Sequence, residues 1–394
     1  MTQDSDTPRS GYYDETTCHL TDFISVTDQD VDLAQISYAT GAPRNVPCYD
    51  VAGLAAHLAQ PEKRREIMAE WARILHSGAG VFVLKQACPC HDAIDQATGC
   101  YEQIIAEERA AGGANADHFA AAGSNDRIWN SLQKLALTSP ATFVRYFASP
   151  AISAACEAWL GPNYQMTAQI NLVHPGGQAQ QAHRDYHLGF QTADISATYP
   201  AHVHELSPLM TLQGGIAHCD MPVEAGPTKL LPFSQLYRPG YAAWRRDDFR
   251  AHFEAKFIQL PLQKGDAIFF NPALFHAAGA NVSLDIHRMV NLLQVSSAFG
   301  RAMESVNRVA MCKAVFPALR AGVAENLLPA TALEAVLGAT AEGYSFPTNL
   351  DRDPPVGGLA PKTQKSILRD AVQNGWTCTA LADALDELSS RQQP

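Results

Sequence analysis

Between residues 165 and 298 the chain breaks into short apolar runs divided by Gly, Pro and Asn, and this texture constrains the fold more than any other feature. The runs read QMTAQINLVH, LMTLQGGIAHCD, TKLLPF, AKFIQLPL, DAIFFN and RMVNLLQVSSAF. Short β-rich runs separated by turn residues predict antiparallel strands in a sandwich or rolled barrel. On both sides of this block the periodicity becomes helical. Upstream, VAGLAAHLAQPEKRREIMAEWARILHSG predicts a short and a long helix split at Pro61. GVFVLK then predicts a strand, and HDAIDQATGCYEQIIAEERAAGG a helix closed by glycines. Two more helical stretches are expected between residues 127 and 160. Beyond residue 301, NLLPATALEAVLGA and CTALADALDELSS predict helices on either side of the Pro/Gly-rich YSFPTNLDRDPPVGGLAPK. The expected organisation is a polar, turn-rich segment over 1–50, a single domain over 51–300 in which helices precede a mainly β core, and a helical extension over 301–394 packed on that core.

At 394 residues and 46% hydrophobic, the chain can bury a large core. A net charge of −11 argues against nucleic-acid binding, which needs a basic surface to displace counterions. The N-terminus MTQDSDTPRSGYYDETT has neither the basic nor the apolar region of a signal, and no window approaches the ~18 continuous apolar residues of a membrane span. A cytoplasmic, non-membrane monomer or homodimer is expected. Nine cysteines, an odd count in a chain this long, fit reduced thiols better than a disulfide framework. Cys88, Cys90, His91 and Cys100 offer zinc ligands, but Cys-x-Cys matches the usual spacing poorly, and a loop leading into a helix explains the segment as well.

The stretch QAQQAHRDYHLGF places His183 and Asp185 two positions apart. On an extended strand alternate side chains share a face, so these two project together while Arg184 points away. That is half of a metal site. His276, just past the short strand AIFFN, is the best third ligand. Two imidazoles and one carboxylate leave three positions open on an octahedral ion, an arrangement suited to non-haem Fe(II) that activates oxygen. Further on, Arg288 opens the apolar run MVNLLQV, where an arginine is costly to bury unless an anion meets its guanidinium. 2-Oxoglutarate would supply that anion, chelating iron through its keto-acid end and placing its distal carboxylate on Arg288. Gln169, Asn171 and Thr228 either hydrogen-bond it or are ordinary inward polar residues satisfied by the backbone. His174, His187, His202, His204 and His218 compete as ligands, but a fourth protein ligand would close the iron. Tyr186, Tyr199, Trp244, Arg245 and Arg246 either shape a substrate pocket or simply pack.

Taken in order, HRD at 183–185, EAGPTKLLPFSQ at 224–235, KGDAIFF at 264–270, His276 and Arg288 resemble the phytanoyl-CoA dioxygenase family of Fe(II)/2-oxoglutarate oxygenases. The resemblance covers residues 165–298. It implies a double-stranded β-helix (jelly roll, cupin-like) with N- and C-terminal helical elements. It also implies iron held by His183, Asp185 and His276 in one mouth, and 2-oxoglutarate on Arg288. The sequence departs from the family at Ser234 and Gln235, where Ser and His are usual. It departs again at Ala278, where a hydroxyl residue often stands and for which Ser283 is the expected substitute. QTADISATYPAHVHELSP reads as an inserted loop near the site, where substrate selection is expected. Related halogenases replace the carboxylate ligand with a small residue to admit halide, whereas Asp185 is present here. The function implied is hydroxylation of a C–H bond in a small-molecule metabolite, with O2 consumed and succinate and CO2 released. Two other readings use the same residues: a cupin-like dioxygenase indifferent to 2-oxoglutarate and to Arg288, and a catalytically silent jelly roll that keeps metal for structure.

Overall fold

The computed structural model describes residues 11–111, 125–345 and 349–393. Its strands are β1 (Cys48–Asp50), β2 (Val81–Lys85), β3 (Asn125–Ile128), β4 (Gln165–Val173), β5 (Thr211–Ala217), β6 (Lys229–Leu230), β7 (Ala267–Phe270), β8 (His276–Ala277) and β9 (Arg288–Ser296). Seven of them build one sheet in the order β1-β2-β7-β5-β9-β4-β3. Every pair is antiparallel except β1 with β2. β6 and β8 pair separately, and single bridges widen this layer, His183 to His276 on one side and Leu230 to Ile258 on the other. The narrow layer faces the large sheet across a shared cavity, which completes the double-stranded β-helix.

Alternation along β9 shows how the sequence serves both faces of the sheet. Arg288, Val290, Leu292 and Gln294 line the cavity, while Met289, Leu293 and Val295 turn outward into a helical core. That core is continuous. It joins Trp71, Ile94, Leu132, Phe143 and Ile152 from the helices before the barrel to Val315, Phe316, Leu337, Leu368 and Leu385 from the helices after it. Residues beyond 301 form the helices Arg308–Ala324, Ala330–Thr340, Gln364–Gln373 and Cys378–Arg391.

Upstream, the helices Val51–Leu58, Pro61–Ser77 and His91–Ala110 stand where periodicity places them, and Pro61 opens the second. Four expectations need correction. The two helical stretches before residue 160 are three, Ser131–Thr138, Pro140–Tyr146 and Pro150–Leu160, because proline at the first helical position starts a new helix where its missing N–H is not needed. Within the first fifty residues, Leu20–Thr27 is a helix that buries Phe23 fully and Leu20 and Val26 in part, a stripe too short to stand out in the sequence. Phe23 packs against Tyr237, Phe249 and Phe275. AKFIQLPL is not a strand: it meets its neighbours through single bridges at Ile258 and Leu262, since Pro261 between them has no N–H for a ladder. QTADISATYPAHVHELSP contains the helices Ala193–Ser196 and Ala201–Leu209 rather than an irregular loop. No helix among the described residues is long and apolar enough to cross a membrane.

Candidate active site

His183 and His276 are direct cross-strand partners in the narrow layer. Each backbone N–H donates to the other residue's carbonyl, at 3.0 and 3.2 Å, so both side chains leave the same face. Asp185 follows two residues later and returns to that face. The ring centroids lie 4.4 Å apart, and Asp185 Oδ2 sits 3.8 Å from His183 Nε2 and 3.5 Å from His276 Nε2. Three ligands about 2.1 Å from one ion stand ~3 Å from each other on an octahedral face, so a small contraction closes this set on a metal. Among the described residues it is the one group of three or more acidic, His or Cys side chains with such spacing.

The protonation states fit a cation. His183 Nδ1 faces the carbonyl of Gln181 at 2.9 Å, and His276 Nδ1 faces that of Leu274 at 2.8 Å. A nitrogen aimed at a carbonyl oxygen must donate, so each neutral ring presents its Nε2 lone pair to the centre. Burial, with the neighbouring His276, lowers the His183 pKa and favours that neutral form. Burial works against ionisation of Asp185, but His183, His276 and Gln213 outweigh it and hold the pKa at about 2. The centre therefore offers one negative charge and two lone pairs.

Three further side chains hold the triad. Gln213 Nε2 on β5 donates to Asp185 Oδ2 at 2.6 Å, and Tyr241 Oη donates to the Asp185 carbonyl at 2.6 Å. Arg184 points to the opposite side, as strand parity requires, and is 2% exposed. Its Nη2 donates to the carbonyls of Ser234 (2.6 Å) and Tyr237 (2.9 Å), and its guanidinium lies over the rings of Tyr241 and Phe275. Sequence reasoning assigned no role to Gln213 or Arg184. The available signals were a polar residue at an inward position of TLQGGIA and a cation placed between two ligands.

Arg288 closes the other end of the cavity. It is 6% exposed, and its Nη1 donates to the carbonyls of Ala225 (3.1 Å) and Gly279 (3.2 Å). Gly226, at φ 71°, lets these two segments touch, since a Cβ there would lie 2.2 Å from the Ala280 carbonyl oxygen. No carboxylate pairs with Arg288 among the described residues, and burial lowers its pKa to about 10. A desolvated cation held only by neutral carbonyls is costly, and an anion beside it would offset that cost. The triad, Arg288, Asn171, Gln169 and Thr228 all line one cavity of ≈ 580 Å³.

Residues 78–290, more than half of the chain, match the family described as Phytanoyl-CoA dioxygenase (PhyH). The chain belongs to the PhyH family. Two fungal relatives are similar over shorter spans. The protein named dioxygenase andF from Emericella variicolor is 27% identical over 146 residues, 35% of this chain and 45% of that protein. Dioxygenase trt7 from Aspergillus terreus is 25% identical over 139 residues, 35% and 43% of the two. The chain thus spans less than half the length of the curated relatives it matches. Among solved structures, the non-heme alpha ketoglutarate dependent epimerase SnoN from nogalamycin biosynthesis is 20% identical, with a TM-score of 0.42 over 61% of this chain and 82% of that one. The carbocyclase SnoK from the same biosynthesis is 19% identical, with a TM-score of 0.41 over 58% and 83%.

PhyH enzymes work with iron and 2-oxoglutarate, and the His-Asp-His set with its open face fits that metal. The positions at which this chain departs from the family find local explanations. Ser234 Oγ accepts from Phe275 N–H (2.7 Å) and donates to Leu231 O (2.6 Å), which ties the turn to the strand carrying His276. Gln235 Nε2 donates to Gly78 O. Ala278 lines the cavity, but Ser283, its expected substitute, does not: its hydroxyl donates to Asn281 Oδ1 at 2.6 Å within its own turn. The competing histidines are engaged elsewhere. His174 contacts Asp126 and His287, His187 contacts Ser207, His204 contacts the Ser196 carbonyl, His218 lies between Thr98 and Tyr146, and His202 is exposed. Tyr186 and Trp244 line the cavity, Tyr199 is exposed, Arg245 donates to the Gly189 carbonyl, and Arg246 ties down the carbonyls of Glu15 and Cys18. Cys88, Cys90, His91 and Cys100 do not converge as metal ligands. Instead, Arg145 reaches Cys90 and Gln86 meets His91.

Proposed function

We propose that this protein is an Fe(II)- and 2-oxoglutarate-dependent dioxygenase that hydroxylates a C–H bond of a small-molecule metabolite. One observation carries the reading: an open His-Asp-His face and a buried arginine without an acidic partner end in the same cavity. His183 Nε2, Asp185 Oδ2 and His276 Nε2 would hold the iron. When bound, the iron and its cosubstrate supply the oxidising power, with one oxygen atom of O2 leaving in succinate, the other entering the product, and CO2 released. The chain's own contribution is position. Arg288 fixes the distal carboxylate of 2-oxoglutarate, Thr228 and Asn171 lie along its path, and the apolar walls Ile268, Phe270 and Val290 keep water from that end. Asp185 occupies the position that a halide would need, which supports hydroxylation over halogenation.

The test is an anaerobic titration with Fe(II) and then 2-oxoglutarate, following the weak visible charge-transfer band of the chelate. Wild type is expected to form the band. Arg288→Ala should need roughly 10- to 100-fold more 2-oxoglutarate, the worth of ~1.5–3 kcal/mol for hydrogen bonds to a charged group. Fe(II) binding with no band at any 2-oxoglutarate concentration would replace this reading with a direct dioxygenase or a silent metal-binding jelly roll.

A further inference from the structure

One charged group of side chains beside the cavity is used neither by the metal set nor by the cosubstrate. Trp244, between the helices Gly240–Ala243 and Asp247–Lys256, lines the cavity, and two guanidiniums lie over its indole. Arg245 Cζ is 3.9 Å from the ring centroid and Arg250 Cζ 5.7 Å. Arg245 Nη2 also donates to the carbonyl of Gly189 (3.2 Å), another residue of the cavity wall. The pair therefore stands at the rim of the cavity, against two of its wall residues.

What the pair lacks is an acid. Arg246 shows the ordinary structural arrangement: it takes both oxygens of Asp248 (3.1 and 2.7 Å) and ties down the carbonyls of Glu15 and Cys18. Among the described residues neither Arg245 nor Arg250 forms an ion pair. In a chain with 40 acidic and 29 basic side chains, two adjoining arginines without a carboxylate run against the overall balance. Burial lowers the Arg245 pKa, and repulsion from Arg250 adds to it. Three donor atoms of the group, Arg245 Nη1, Arg250 Nε and Trp244 Nε1, are buried without a partner, where buried donors ordinarily have one. The indole face offsets part of the charge but accepts none of these N–H groups in its plane. An anion would relieve both the repulsion and the unmet donors.

We propose that Arg245 and Arg250, stacked on Trp244, bind an anionic group of the substrate, a carboxylate or a phosphate ester, at the rim of the cavity. The rest of the molecule then reaches inward. This rests on the oxygenase reading and deepens it, because an end anchored at the rim fixes which C–H bond meets the open face of the His-Asp-His set. The pair is separate from Arg288, which closes the other end of the cavity.

The experiment uses the full chain loaded with Ni(II), which does not activate oxygen, and saturated with 2-oxoglutarate so that the metal and Arg288 are occupied. Three probes of one skeleton, 2-naphthoate, 2-naphthyl phosphate and the neutral 2-naphthamide, are titrated calorimetrically at low salt and at about 0.5 M. The better anion is expected to bind roughly 10- to 100-fold tighter than the amide, the range for hydrogen bonds to a charged group, with the advantage shrinking in salt. Which anion binds tighter tells carboxylate from phosphate. Arg250→Gln should lose most of the advantage with 2-oxoglutarate affinity unchanged. Arg250→Glu gives Arg245 the carboxylate it lacks and should abolish the preference at an unchanged or higher melting temperature. Equal binding of anions and amide overturns the proposal. So does a preference that persists in either variant, or one lost only together with a fall in melting temperature. Failure of wild type to bind 2-oxoglutarate would overturn the oxygenase reading instead. The same titration on Arg288→Ala, which lacks the other buried guanidinium, would then decide the rim pair by itself.

Discussion

Gln213 shows how much of a candidate metal centre lies outside the residues proposed to hold the ion. Its Nε2 donates to Asp185 Oδ2, the oxygen that faces both imidazoles, so it fixes the carboxylate's rotation and helps keep it ionised. Gln213→Leu is expected to weaken metal affinity by roughly 10- to 100-fold, the range seen when such outer partners are lost. A Co(II) or Ni(II) titration checks this, and unchanged affinity would make Gln213 a packing residue. The sequence announces His183 and Asp185 because parity alone places them together. It does not announce Gln213, since a glutamine in a strand carries no signal until a carboxylate is known to stand opposite.

At the scale of elements, the segment that carries His183 and Asp185 is held from below by Arg184, and the turn at 234–241 is built around that side chain. Gly240 makes room for it: a Cβ there would lie 1.9 Å from Arg184 Cζ. Gly240→Ala touches no ligand, yet it must displace the guanidinium that ties HRD to the Ser234 and Tyr237 carbonyls. Metal affinity should fall at least ~10-fold, as for other losses of outer support, with a lower melting temperature for the metal-free protein. A melting temperature and Kd equal to wild type would show that the turn yields freely. Strand and helix positions were largely legible from periodicity. The missed helices differ in cause: Leu20–Thr27 and Ala193–Ser196 fully bury one residue each, Ala201–Leu209 buries Ala, His, Ser and Pro rather than large apolar side chains, and the strand expected over AKFIQLPL fails at Pro261.

For the whole molecule, the helices beyond residue 301 share their core with those before the barrel. Deleting 301–394 should therefore leave the outer face of the sheet unsealed, with dye-binding apolar surface and no cooperative melt. A deletion that melts cooperatively would show that the extension is dispensable. A second prediction concerns acid. His218 sits fully enclosed between Thr98 and Tyr146, joining the helices His91–Ala110 and Pro140–Tyr146 to the end of β5. Burial and Lys264 lower its pKa from 6.5 to about 3. Between those values the unfolded chain holds a proton at this histidine that the native one does not. Its contribution is intact above the unfolded value and declines as pH falls towards the native one, by up to about 1.4 kcal/mol per pH unit. His218→Gln should flatten the fall of the urea midpoint between about pH 6.5 and 5 relative to wild type, and an unchanged slope would refute the assignment.

Local spacing by itself determined a mainly β core between helices, the pairing of His183 with Asp185 on one face, and the anomaly of Arg288 in an apolar strand. Each follows from the period of a single segment. Only the tertiary structure decided that His276 is the cross-strand partner of His183, that Gln213 supports Asp185, that Ser283 serves its own turn, and that Gln169 belongs with Gln294 and Arg127. These relations depend on register between segments distant in the chain. Register is set by the hydrogen bonds and packing of both partners at once, so neither segment carries it alone.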